Sequence, residues 1–206
     1  MEAPKSPSIS PEEARASLAE IDRIILHTRR TIGHGAPSAI IILWGFIWVV
    51  GFASQQFFPP FSGRIWLFLD LVGVPGSFLL GAWRRNAPVK RPHSGKVGLS
   101  WLILFAFAVI WMLALGPWDL LRRPELAFYG SVMNRKFAVF WATVPMFAYI
   151  LMGLWLDRFF IYLGTLVTLA TVGGYLFIHH YFFLWMALVG GGSLIGGGIF
   201  IKKFWR

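Results

Sequence analysis

The chain has 206 residues, of which 57% are hydrophobic and 11 are tryptophan, a composition that is unusual for a soluble domain. Its net charge of +10 would suit nucleic-acid binding, but no basic patch is interleaved with aromatic residues on a soluble segment, so we expect no nucleic-acid partner. The sequence contains no cysteine, which excludes disulfides, thiolate metal sites and thiol redox chemistry.

A polar and charged N-terminal segment precedes the apolar part of the chain. Residues 1–9 are predicted to be a disordered tail. In Ser10–Glu13 a capping serine precedes proline at the first helical position and glutamate at the third, which predicts a helix from 11 to about 32. We interpret residues 10–36 as a cytoplasmic, juxtamembrane amphipathic helix, followed by an apolar segment that acts as an uncleaved targeting signal.

The apolar residues of this helix recur at heptad-like spacing, as Leu18, Ile21, Ile25 and Ile32. Such a face can lie on anionic headgroups, or it can dock a cytoplasmic protein or a second copy in a short coiled coil. Leu18, Ile21 and Ile25 are therefore the candidate partner-docking residues.

Residues 37–206 are predicted to form one all-α membrane domain, a polytopic bundle of six transmembrane helices. A hydrocarbon core of about 30 Å needs roughly 20 apolar helical residues. The last two segments run together without a Lys, Arg, Asp or Glu, and the polar pair His179-His180 marks the predicted reversal. The six segments are about 38–57, 65–83, 97–116, 137–156, 159–178 and 182–201.

The distribution of Lys and Arg predicts the orientation of this bundle. With the N-terminus inside, 14 of these residues fall in inner segments and 5 in outer loops. We therefore expect a multi-pass protein of the inner (plasma) membrane with both termini in the cytoplasm. Omission of the second segment would place the five basic residues of 84–96 outside, so six spans are preferred to five.

Asp70 is the only carboxylate well inside a predicted span, where a charge is costly and needs a partner, water or a proton. Tyr175 and His179 follow a series of threonines along one face of the fifth segment and should lie at a similar depth. The three residues are a candidate ion or proton relay. The alternative is structural: Asp70 reaches the interface or pairs with an arginine, and the threonines bond neighbouring helices.

The sixth segment contains small residues spaced four apart, which lets helix backbones touch. The facing helix is predicted to belong either to the same chain or to a second copy, so a homo-oligomer or another membrane protein is a possible partner. The candidate packing residues are Ala187, Gly191, Gly192, Ser193, Gly196 and Gly197.

Catalytic signatures are absent from the sequence: it has no His-Glu-x-x-His, no Gly-x-Ser-x-Gly, no phosphate-binding loop and no paired intramembrane carboxylates. We therefore predict no enzyme activity, no metal site and no cofactor. Two hypotheses remain. The preferred one is a non-catalytic membrane protein that acts through contacts, as an accessory subunit, scaffold or sensor; the other is a small proton- or cation-linked transporter or channel that uses Asp70, Tyr175 and His179.

Overall fold

The computed structural model describes residues 10–33, 36–83, 94–115 and 127–205, and all regular structure in these ranges is helical. Five of the helices, α2, α3, α5, α6 and α7, contain segments long and apolar enough to cross a membrane. The predicted tail 1–9 lies outside the described residues. The helices are α1 (Pro11–Gly33), α2 (Ala36–Phe57), α3 (Pro59–Trp83), α4 (Ser94–Leu115), α5 (Ala127–Trp155), α6 (Arg158–Phe177) and α7 (Phe182–Phe204).

The N-terminus of α1 has the reciprocal hydrogen bonds that its sequence predicts. Ser10 N–H donates to Glu13 Oε2 at 2.9 Å, and Glu13 N–H donates to Ser10 Oγ at 3.2 Å. The bond from the Ser10 backbone, followed by the bond to its side chain, lowers the pKa of Glu13 from its usual 4.5. The predicted helix over 11–32 is thus observed as Pro11–Gly33, and α2 begins at Ala36.

The most extensive contact among the described helices joins α2 to α7, the first and last of the apolar helices. A β-carbon built on Gly191 would lie 2.9 Å from the backbone oxygen of Gly45, and one on Gly198 would lie 3.0 Å from that of Ser38. Residues later in α7 therefore contact residues earlier in α2, so the two helices are antiparallel. Only glycine allows backbones to approach this closely.

The α5–α6 pair is a helical hairpin that turns at Asp157, whose side chain caps α6 by accepting from Phe159 N–H at 2.9 Å. A β-carbon on Gly164 would lie 2.7 Å from the backbone oxygen of Met146, so these helices also touch through their backbones. The predicted reversal between the last two segments is observed as well: α6 ends at Phe177 and α7 begins at Phe182.

The first third of α7 is irregular. Residues Met186–Gly191 form a π-helical segment between two α-helical parts. Directly before it, Trp185 Nε1 donates to the backbone oxygen of Ala170 at 2.9 Å, which connects α7 to α6. A π segment rotates the helix faces that follow it relative to a regular α-helix.

The remaining two apolar helices are peripheral. Along α3, Gly73 packs on Ile47 of α2, and Trp44 Nε1 donates to Ser77 Oγ at 3.0 Å. Contacts of α4 with α5 are aromatic, with ring centroids 5.8 Å apart for Trp101–Tyr149 and 6.5 Å apart for Phe105–Trp141. Both pairs are antiparallel. The apolar stretch assigned within α4 is Leu99–Trp111, shorter than a span, and the count of six spans stays a prediction.

Candidate functional site

The predicted relay residues lie on different parts of the bundle. Asp70 is exposed on α3, which packs along α2. Tyr175 is half-buried near the end of α6, where its ring contacts Phe182, and His179 is exposed in the turn that follows. The described contacts do not join Asp70 to the other two, and the relay stays a prediction.

A cluster of polar groups lies at the end of the bundle where α2 and α6 end and α5 begins; we call it the turn cluster. Gln55 Nε2 donates to Asn134 Oδ1 at 3.2 Å, and Gln56 Nε2 donates to the backbone oxygen of His180 at 3.2 Å. Arg135 Nη1 donates to the backbone oxygen of His179 at 3.2 Å. The α6–α7 turn is therefore held by side chains of both α2 and α5.

Arg135 also lies beside the ring of Tyr175, with its guanidinium carbon 6.0 Å from the ring centroid. This distance is at the outer limit of a cation–π interaction. The Oε1 atoms of Gln55 and Gln56 are buried and have no hydrogen-bond partner among the described residues. Gln56 and Arg135 thus donate to the turn and Gln55 donates to α5, while two buried amide oxygens of the cluster accept no hydrogen bond from the described residues.

The sequence interpretation missed Gln55, Gln56, Asn134 and Arg135. The charge distribution of the sequence places Arg135 only as one of the basic residues of the outer loops. The available signal was polar: two consecutive amides lie at the end of the first predicted span, and Asn134-Arg135 lies just before the fourth. Amides at helix ends are common at membrane interfaces, so the pattern does not reveal which groups meet.

The predicted packing residues of α7 divide between two faces. Ala187 and Gly191 are buried against the bundle, and Gly197 packs against Leu163, whose Cδ2 would lie 3.1 Å from an added β-carbon. Ser193 is half-buried. Gly192 and Gly196 are exposed, and an added β-carbon at either would meet no atom of the described chain within 4 Å.

The close contact also uses glycines that the sequence analysis did not select. Gly190 packs on the Trp48 ring, and Gly198 and Gly45 lie at backbone contacts between α2 and α7. On α7, the residues that contact α2 therefore include Gly190, Gly191, Ile195 and Gly198. Gly197 contacts α6, and Leu194 is fully buried.

The predicted docking residues are on the water-facing or lipid-facing surface of α1. Leu18 is 63% exposed and Ile21 52% exposed, and the other side chains described between Pro11 and Leu26 are exposed too. The side chain of Ile25 lies outside the described residues. α1 contacts α2 and α7, so its apolar residues are presented beside the bundle rather than inside it.

Within the described ranges, no three His, Asp or Glu side chains come together in a way that could hold a metal ion. No family model, curated protein or solved structure matches the chain. What the fold establishes is a class: five long apolar helices, packed through glycines and tryptophans, make this an integral, multi-pass membrane protein.

Proposed function

We propose that the protein is a non-catalytic component of the inner membrane that acts through contacts, with α1 as the element that docks a cytoplasmic protein. The observation that carries this proposal is the exposure of Leu18 and Ile21 on a capped helix attached to a membrane bundle. Burial of an aliphatic side chain of this size contributes about 1.5–3 kcal/mol. Two such residues on one helix face supply a usable binding surface.

The proposed location of α1 in the cytoplasm is supported by the directions of the helices. Antiparallel contacts relate α2 to α3, α2 to α7, α7 to α6, α6 to α5 and α5 to α4. If α4 did not cross, five alternating spans would make α2 and α7 parallel. The antiparallel α2–α7 contact therefore supports six crossings with both termini on one side, and the excess of basic residues assigns that side to the cytoplasm.

The transport hypothesis has less support in this geometry. A relay needs titratable groups within proton-transfer reach of one another, directly or through water. Asp70 instead lies on a peripheral helix, and Tyr175 faces Arg135 and Phe182. A function based on protein contacts needs only the exposed face of α1 and does not need a polar route through the spans.

The docking proposal is tested by site-specific photocrosslinking in native membranes. A photoreactive amino acid replaces Leu18 or Ile21, and Glu20 is the matched control, because it is also exposed and lies about 200° around the helix from Leu18. We expect the same discrete protein adduct from positions 18 and 21 and none from position 20.

Two results would contradict docking. Adducts with lipid alone at positions 18 and 21 would show that α1 lies on the membrane surface. Equal protein adducts at all three positions would show that crosslinking reflects proximity without a specific face. In a positive result, the double substitution Leu18→Ser and Ile21→Ser should release the crosslinked protein during purification of the full chain in nanodiscs.

A further inference from the structure

A groove lies between α2, α3 and α7 at the end of the bundle where α2 begins and α7 ends. Its volume is about 310 Å³. Six residues line it: Ser38, Ala39, Ile42, Leu43, Leu80 and Lys202. Three different helices therefore contribute to one concave surface, and this surface belongs neither to the turn cluster nor to the exposed face of α1.

The groove lies one turn beyond the contact of Gly76 with α2. A β-carbon on Gly76 would lie 3.3 Å from Leu43 Cδ2, so the two helices are packed at that level. Leu80, one turn further along α3, lines the groove instead. On the other side, the close approach of Gly198 to Ser38 fixes α7 against α2, and Lys202 follows one turn later. Rigid contacts thus bound the groove on both sides.

Among the described residues that line it, the groove combines an apolar wall with one cationic group. Ile42, Leu43 and Leu80 offer aliphatic surface, and Lys202 offers an ammonium in the last turn of α7. This end of α7 is also where an apolar span gives way to polar residues, the depth at which phospholipid headgroups join their acyl chains. A small soluble anion would use the ammonium but would gain nothing from the aliphatic wall.

We propose that this groove is a binding site for an anionic phospholipid, with the phosphate at Lys202 and the first part of one acyl chain along Ile42, Leu43 and Leu80. Basic pockets between transmembrane helices recognise anionic headgroups by this pairing of charge and apolar contact. The inference is independent of the docking role of α1, and it holds for either orientation of the bundle.

The neighbouring residue Lys203 provides a matched control. It has the same charge and the same helix turn, but its ammonium lies 5.6 Å from the ring centroid of Phe204, and it does not line the groove. Loss of Lys203 changes the net charge at this interface as much as loss of Lys202. Only the loss of Lys202 should weaken the binding of a lipid in the groove.

The site is tested by native mass spectrometry of the full chain released from detergent micelles that contain phosphatidylglycerol or phosphatidylcholine with identical chains. We expect retention of phosphatidylglycerol over phosphatidylcholine. Lys202→Gln should weaken retention of phosphatidylglycerol about fivefold, the effect of one cationic residue near an anionic surface, and Lys203→Gln should leave it nearly unchanged.

A second variant tests the groove without changing charge. Ala39→Leu places a larger side chain in the groove and should reduce retention of phosphatidylglycerol while Lys202 is intact. If Lys202→Gln fails to fold, the effect of Ala39→Leu on retention of phosphatidylglycerol tests the proposal.

Equal effects of Lys202→Gln and Lys203→Gln would overturn the proposal, since they would show interfacial attraction without a site. No preference between the two lipids would overturn it too. So would displacement of the lipid by millimolar inorganic phosphate, because a site for the free anion does not need the acyl wall.

Discussion

Replacement of Gly191 by alanine should destabilise the protein, whereas replacement of its neighbour Gly192 should not. A β-carbon on Gly191 would lie 2.9 Å from both Gly45 O and Val49 N, and backbone atoms cannot rotate away as side chains do. Relief requires α2 and α7 to separate, and overpacking of this kind costs about 1–3 kcal/mol. The β-carbon of Gly192→Ala meets no described atom within 4 Å.

The comparison isolates the helix contact because both variants make the same chemical change. Each gains the higher helix propensity of alanine, up to about 1 kcal/mol, and this gain cancels in the difference. We expect Gly191→Ala to be less stable than Gly192→Ala by about 1–3 kcal/mol. Gly198→Ala against Gly196→Ala is a second pair in the regular part of α7, since only Gly198 touches α2.

The free energy of unfolding can be measured by circular dichroism in mixed micelles with an increasing fraction of sodium dodecyl sulfate. Equal shifts within both pairs would refute the close contact between α2 and α7. Gly192→Leu then tests whether a second copy covers the open face of α7: if it does, this variant loses the oligomer on size-exclusion chromatography while the monomer keeps its stability.

Three further results are expected. Asp70→Asn should leave folding unchanged, and it should leave any proton flux into proteoliposomes unchanged, because Asp70 is exposed on a peripheral helix; a flux that disappears would favour the relay. The lowered pKa of Glu13 means that its carboxylate stabilises the start of α1 above about pH 4.5, and that this stability is lost as the pH falls through the lower folded-state value. The protection of the amides in the first turn against hydrogen exchange, relative to the intrinsic rate at each pH, should therefore fall on acidification, and Glu13→Gln should abolish the change. Arg135→Gln should speed hydrogen exchange in the 178–181 turn. The local stability of the turn should fall by less than about 1 kcal/mol, because the interaction is exposed. Equal exchange rates after Lys136→Gln and Arg135→Gln would show that the hydrogen bond has no role.

Local signals in the sequence predicted where several helices begin or end, although α5 begins at Ala127, ten residues before the predicted fourth segment. The capping box at Ser10 acts within four residues, so it is readable from the chain, and the structure begins α1 at the next residue. The reversal between Phe177 and Phe182 follows from a length limit, since an unbroken apolar helix there would exceed the bilayer thickness. Neither inference needs knowledge of which helices are neighbours.

The contact face of α7 could not be chosen in the same way. Small residues are so frequent between 187 and 198 that spacings of four occur on more than one face, as Ala187–Gly191, Gly192–Gly196 and Ser193–Gly197. The π segment at Met186–Gly191 also shifts the faces away from a regular α-helical projection. The face that packs is set by the partner helix, and the sequence of α7 does not contain that information.

The contacts of the predicted relay residues also depend on which helices are neighbours. Equal depth in the membrane placed Asp70, Tyr175 and His179 in one layer, but depth does not specify position around the bundle. Tyr175 meets Arg135 because α5 and α6 form a hairpin, whereas Asp70 belongs to α3, which packs along α2. Pairing of helices is a tertiary property, and it decided which polar groups meet.

The contact between the first and last apolar helices also sets an order for biosynthesis. The α5–α6 hairpin joins neighbours in the chain and can form soon after both helices enter the bilayer. The Gly45 face of α2, in contrast, enters early and remains against lipid until α7 has been translated, because Gly191 and Ile195 are what cover it. A chain that stops before Phe182 therefore leaves the Gly45 face of α2 without its intramolecular contact.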